Sequence, residues 1–205
     1  MKTLFSISLL IVAVLFTATT VAEDTIYKPF VVASAGPGTL EDTTQSTLNA
    51  LEAAGFEVAG QYSPVDGTNI IVVTNDELKK VAAMSDRGGY AAGQRVSISE
   101  TDGNVEVSYV NPVYIQYGYR LSGDLQPLAD TLSSSLGNER FCGAGKKKTT
   151  AKKLGKYHYM MGMQYFDDPS ELGSFESYEA AIAAVENGLA KEGDALTQVY
   201  RIDIP

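Results

Sequence analysis

The chain has no tryptophan, one cysteine (Cys142) and one histidine (His158) in 205 residues, and 16 basic residues face 25 acidic ones. Each shortage removes a class of function. A lone cysteine cannot staple the fold internally, so stability must come from a hydrophobic core, which a chain of this length can supply. It also excludes the Cys/His spacing of a zinc site and the Cys-x-x-Cys-His run of covalently attached haem. With one histidine, any Ser–His or Cys–His machinery must run through His158, and no Gly-x-Ser-x-Gly elbow occurs. The net charge of −9 repels phosphate backbones at long range, which argues against nucleic acid as a partner. Beyond residue 22 nothing approaches the roughly 18 consecutive apolar residues of a membrane span.

The one sustained apolar run, residues 4–16, follows Lys2 and leads through small residues to Ala22. This pattern predicts a secretory signal over residues 1–22 with cleavage after Ala22, the run being short for a bilayer; an uncleaved anchor helix is the competing reading. The product, residues 23–205, is expected in the periplasm or the medium. In such an oxidising compartment Cys142 must be buried, joined to another molecule, or reactive, and burial is the common state of a free cysteine.

Along the chain, "YKPFVVAS" reads as a strand, and Thr39 with Asp42 opens a helix whose apolar face carries Leu40, Thr44, Thr47, Leu48 and Leu51. "FEVAGQY" and "NIIVVT" follow as strands, and Asn75 caps a short helix with Leu78, Val81 and Ala82 inward. "RGGYAAGQR", residues 87–95, is either a flexible cover with glycine hinges or a plain connector. "QRVSISE" and "NVEVSYV" alternate around Thr101-Asp-Gly103, a hairpin pattern. After an expected seam at Ser122-Gly123 come a helix carrying Leu125, Leu128, Leu132 and Leu136, a lysine-rich loop, and a strand at residues 156–168. A helix capped by Ser177, with Tyr178, Ala181, Ile182, Val185 and Leu189 on a buried stripe, and a closing strand with Leu196, Tyr200, Ile202 and Ile204 complete the chain. The expected fold class is α+β: antiparallel sheet layers with amphipathic helices on one face. It is divided into two similar-sized halves, residues 23–121 and 122–205, that pack together or pair with another copy.

The stretches "TLEDTTQSTLNALEAAGFEVAGQYSP", "IIVVTNDELKKVAA" and "QRVSISETDGNVEVSYVNPVYIQYGY" resemble the bacterial domain-of-unknown-function family 302. The likeness covers residues 27–121. It rests on element order and on the Gly55-Phe56, Thr74-Asn75 and Val107-Ser-Tyr-Val-Asn-Pro112 signatures. It implies a compact, often self-associating α+β domain and brings no activity or catalytic residues.

Chemistry concentrates in "KYHYMMGMQYFDD", residues 156–168. As a strand, it would turn Tyr157, Tyr159, Met161, Met163 and Tyr165 to one side as core. On the other side it would place His158 and Met160 about 6.6 Å apart, close enough to share one soft ion. Imidazole with thioether suits Cu(I) or non-covalent haem, provided a third ligand comes from Cys142, Met84 or a second chain. The competing reading is packing, since methionine fills irregular gaps. The loop with Lys146, Lys147, Lys148, Lys152 and Lys153, joined by Lys156, fails the P-loop pattern. It still makes a positive patch for an anion or an acidic partner, unless it is simply solvated. A Cys142 exposed beside these lysines would be reactive. Asp167-Asp168-Pro169 reads as a turn rather than an acid–base pair. The leading expectation is therefore a non-enzymatic module that binds a small ligand or an envelope protein. The alternative is a thiol- or metal-assisted enzyme using Cys142 and His158.

Overall fold

The structure is a computed structural model describing residues 25–86, 88–158, 160–165, 168–191 and 196–205. The expected signal, Arg87 of the glycine loop, Tyr159 and Asp167 lie outside the described residues. The fold is α+β, built on one six-stranded antiparallel sheet. In chain order its elements are β1 (Phe30–Pro37), α1 (Leu40–Ala53), β2 (Glu57–Tyr62), β3 (Thr68–Thr74) and α2 (Asp76–Ala83). A 3₁₀ turn (Gly88–Ala91), β4 (Gln94–Thr101), β5 (Asn104–Val110), α3 (Pro112–Gly118) and α4 (Gln126–Leu136) follow. The chain ends with β6 (Arg140–Cys142), α5 (Ala151–Leu154) and α6 (Tyr178–Lys191). The strand order is β2-β3-β4-β5-β1-β6.

Local chemistry explains most of these elements. The Asp42 amide donates to Thr39 Oγ1 at 3.2 Å and the Leu78 amide to Asn75 Oδ1 at 2.9 Å, so each helix start has the acceptor that its free amides need. The β4–β5 hairpin turns at Asp102 and Gly103, both at positive φ, as a two-residue turn matched to strand twist demands. Pro112 at the first turn of α3 costs no hydrogen bond, and Asn111 Oδ1 accepts from the Val113 amide at 3.1 Å.

Alternation along the strands separates two faces. Val31, Ala33, Ile71, Val73, Val96, Ile98, Val105, Val107 and Tyr109 join one buried cluster with Leu51 of α1 and Leu78 and Val81 of α2. Leu125, Leu128 and Leu132 belong to the same cluster, and β6 pairs with β1, so residues on both sides of Ser122-Gly123 share one sheet and one core. Burying leucines such as Leu51 and Leu132 completely contributes roughly 2 kcal/mol each.

Three expectations are corrected. The described residues of the 156–168 stretch form no strand: the chain turns at Met160–Gly162, with the Met163 amide donating to the Met160 carbonyl at 3.1 Å and Gly162 at φ +82°. Met161 and Met163 are therefore exposed, not core filler. The apolar stripe of α6 is not buried; none of its residues is. The closing segment, residues 196–205, enters no strand ladder.

Candidate functional site

The lysine-rich loop is tied to the body of the fold. The Tyr27 amide donates to the Thr149 carbonyl at 2.9 Å, Thr149 Oγ1 donates back to the Tyr27 carbonyl, and Ile26 bridges to Thr150. Thr150 caps α5 by accepting from the Lys153 amide, while Leu154 is fully buried. With Thr150 and Leu154 inward, Lys152 and Lys153 on the same short helix are left outward.

These constraints bring Lys152, Lys153, Lys156, His158, Met160 and Met161 around one open groove of about 700 Å³, with Thr150 and Tyr157 completing its wall. The two candidate features, the positive patch and the His–Met pair, thus converge. Lys147 stands aside from the groove: its Nζ donates to Tyr157 Oη at 2.9 Å and lies 5.1 Å from that ring's centre, which orients the tyrosine. Lys146 and Lys148 are exposed nearby and do not line it. Thr150, Tyr157 and Met161 were not foreseen as groove residues; the Thr-x-x-Lys cap spacing was the signal for Thr150.

His158 is held by two contacts. Its Nδ1 lies 2.6 Å from the Met163 carbonyl, which can only accept, so Nδ1 carries a proton and the acceptor nitrogen of the neutral ring is Nε2. Its ring packs 4.0 Å from Tyr165, and Arg120 caps the other partner at 4.9 Å. Such an imidazole can accept a hydrogen bond or coordinate. Its partners for coordination are few. Among the described residues there is no group of three or more His, Cys, Asp or Glu placed to share an ion. Cys142 and Met84, the expected third donors, line other grooves. Among the described residues of one copy, neither Cys142 nor Met84 joins His158 and Met160 at the groove as a third donor.

Cys142 is half-buried on β6, opposite Phe30 of β1. It borders a groove across the second sheet face with Tyr62, Arg95, Ser97 and Glu106. Cys142 and His158 therefore serve different surfaces, and the lysines do not flank the thiol's groove. Asp168 serves as a turn residue, its Oδ2 accepting from the Tyr165 amide at 2.7 Å.

Sequence patterning gave no hint of a more enclosed cavity of about 240 Å³ between the start of β1, α3 and α4. Several of its polar residues are already engaged. Gln126 Nε2 donates to Asp130 at 2.8 Å, Asn111 Nδ2 to the Lys28 carbonyl at 2.9 Å, and Lys28 Nζ to the Gly145 carbonyl at 2.9 Å. The lysine groove, by contrast, presents ammonium groups to solvent. No protein-family model matches the chain, and no curated protein matches it either.

Proposed function

We propose that the chain is an exported, non-enzymatic binding module whose ligand is a small anion carrying an apolar portion. The observation that carries this reading is the convergence of Lys152, Lys153, Lys156, His158, Met160 and Met161 on one groove of a protein with net charge −9. On an acidic surface a local cluster of ammonium groups is where an anion is drawn rather than repelled. Exposed ion pairs contribute only about 0.2–1 kcal/mol each, so three lysines alone hold an anion weakly. The two methionines and Tyr157 supply apolar surface, at about 0.8 kcal/mol per buried methylene, for a hydrocarbon attached to it.

Export rests on the leader pattern at residues 1–22, and the likeness to domain-of-unknown-function family 302 over residues 27–121 belongs to the same reading. The unburied stripe of α6 supports self-association with a second copy. No observation favours catalysis by Cys142 and His158, which face different grooves.

Titration with inorganic phosphate and with hexyl phosphate, followed by the methyl signals of Met160 and Met161, tests the site. Hexyl phosphate is expected to bind at least tenfold more tightly than phosphate, more weakly as salt rises, and at least tenfold more weakly to the Lys152→Glu/Lys153→Glu double variant. No saturable binding of either anion, or binding unchanged in that variant, defeats the proposal.

A further inference from the structure

Gly60 stands in the interior of β2, the outer strand of the sheet, where a glycine weakens a strand without packing anything. It adjoins a register shift between Val58 and Gly60, but it does not sit at positive φ, and neither do Gly89 and Gly93, so no left-handed backbone requires glycine at any of the three. What lies above them does. A Cβ on Gly60 would stand 2.6 Å from the Val199 carbonyl oxygen and 2.9 Å from Tyr200 Cβ. One on Gly93 would stand 3.0 Å from Ile202 Cδ1, and one on Gly89 3.3 Å from Ile204 Cδ1. Three glycines, one from β2 and two from the segment before β4, thus form one track beneath residues 199–204. The residues met in turn, Tyr200, Ile202 and Ile204, recur at the period of two expected of an extended chain.

The seated segment belongs to no strand ladder, so the track holds it through side-chain packing and close backbone approach. Tyr200 remains 41% exposed and Ile204 37%, so the hold is partial. Arg201 pairs with Asp203 at 2.8 Å and with Glu186 of α6 at 3.1 Å, both contacts away from the track.

We propose that the Gly60–Gly93–Gly89 track is a binding site for an extended peptide with apolar residues at alternate positions, and that the chain's own segment 196–205 is its resident occupant. The methyl signals of Ile202 and Ile204 in the full chain test the seat. Gly60→Val is expected to move both to the positions of an unstructured peptide while the methyl signals of β3 and β4 stay in place. If the track has no such role, a valine there strengthens an outer strand, raising Tm and leaving both tail signals unchanged; that result overturns the proposal. Should Gly60→Val fail to fold, Ile202→Asp releases the segment from the other side and is read in the same way at Ile204. A labelled peptide LTQVYRIDIP is then expected to bind the Ile202→Asp chain saturably, and the parent chain at least tenfold more weakly because its track is filled. Absence of binding to the folded Ile202→Asp chain, or equal binding to both chains, overturns the peptide site.

Discussion

Tyr109 is 2% exposed, and its hydroxyl donates to the Gly137 carbonyl at 3.3 Å. Burial disfavours the phenolate and pushes its pKa up to about 12 from an ordinary 10.0. A tyrosine that resists ionisation only when folded contributes stability that is complete below pH 10. As pH rises from about 10 to about 12 the unfolded chain releases its proton first, and about 3 kcal/mol is lost. Measured against the Tyr109→Phe variant by urea unfolding, the parent should lose that increment over this window and show no relative change between pH 6 and 9. The residue scale is also where sequence reading fell short. Alternation assigns Met161 and Met163 to a core only if the segment is a strand. Gly162 in the left-handed region folds it into a turn instead, so Met161 protrudes completely and Met163 by half. His158 and Met160 were legible as a pair of soft donors, but their union with Lys152, Lys153 and Lys156 depends on Thr149 and Thr150 being tied to Tyr27 and Ile26 across most of the chain.

At the scale of elements, the helices and strands with a complete local signal are the ones that patterning predicts. α2 is an example: Asn75 caps it, Asp76 and Glu77 occupy its positive end, and Leu78, Val81 and Ala82 are buried. Asn75→Ala should lower stability by about 1 kcal/mol in urea unfolding, whereas Asn75→Asp should leave it nearly unchanged. Elements that depend on distant partners were not legible. β6 is three residues long and is a strand only because β1 offers it an edge, with Phe30 facing Cys142. α3 is rich in Val113, Tyr114, Ile115 and Tyr117, which favour strands, and it is helical because Asn111 and Pro112 start it that way. The segment after α6 carries strand-like alternation but finds no free ladder; it lies on glycines instead.

For the whole molecule, the decisive feature is the shared core. Leu132 of α4 is fully buried in a cluster with Val107 and Ile98, although the turn at Ser122-Gly123 separates it from them in sequence. Leu132→Ala should therefore cost about 2–5 kcal/mol and lower protection of β4 and β5 amides in hydrogen exchange together with those of α4, through one cooperative transition. Loss of protection confined to residues 126–136 would show that the two stretches unfold independently. The antiparallel sheet with helices packed against it was readable from periodicity, because each strand's alternation and each helix's stripe is written locally. The grouping of both stretches around one set of leucines is set by contacts far apart in the chain, which periodicity does not encode.

The methionine turn has a chemical corollary. Met160 and Met161 project into solvent, and neither belongs to the buried cluster. Peroxide reaching the protein meets these thioethers at the surface, and conversion to sulfoxide puts a polar oxygen on the rim beside Lys156 and His158. Oxidative damage would thus be recorded as a change in what the rim can hold, while the folded body beneath keeps its stability.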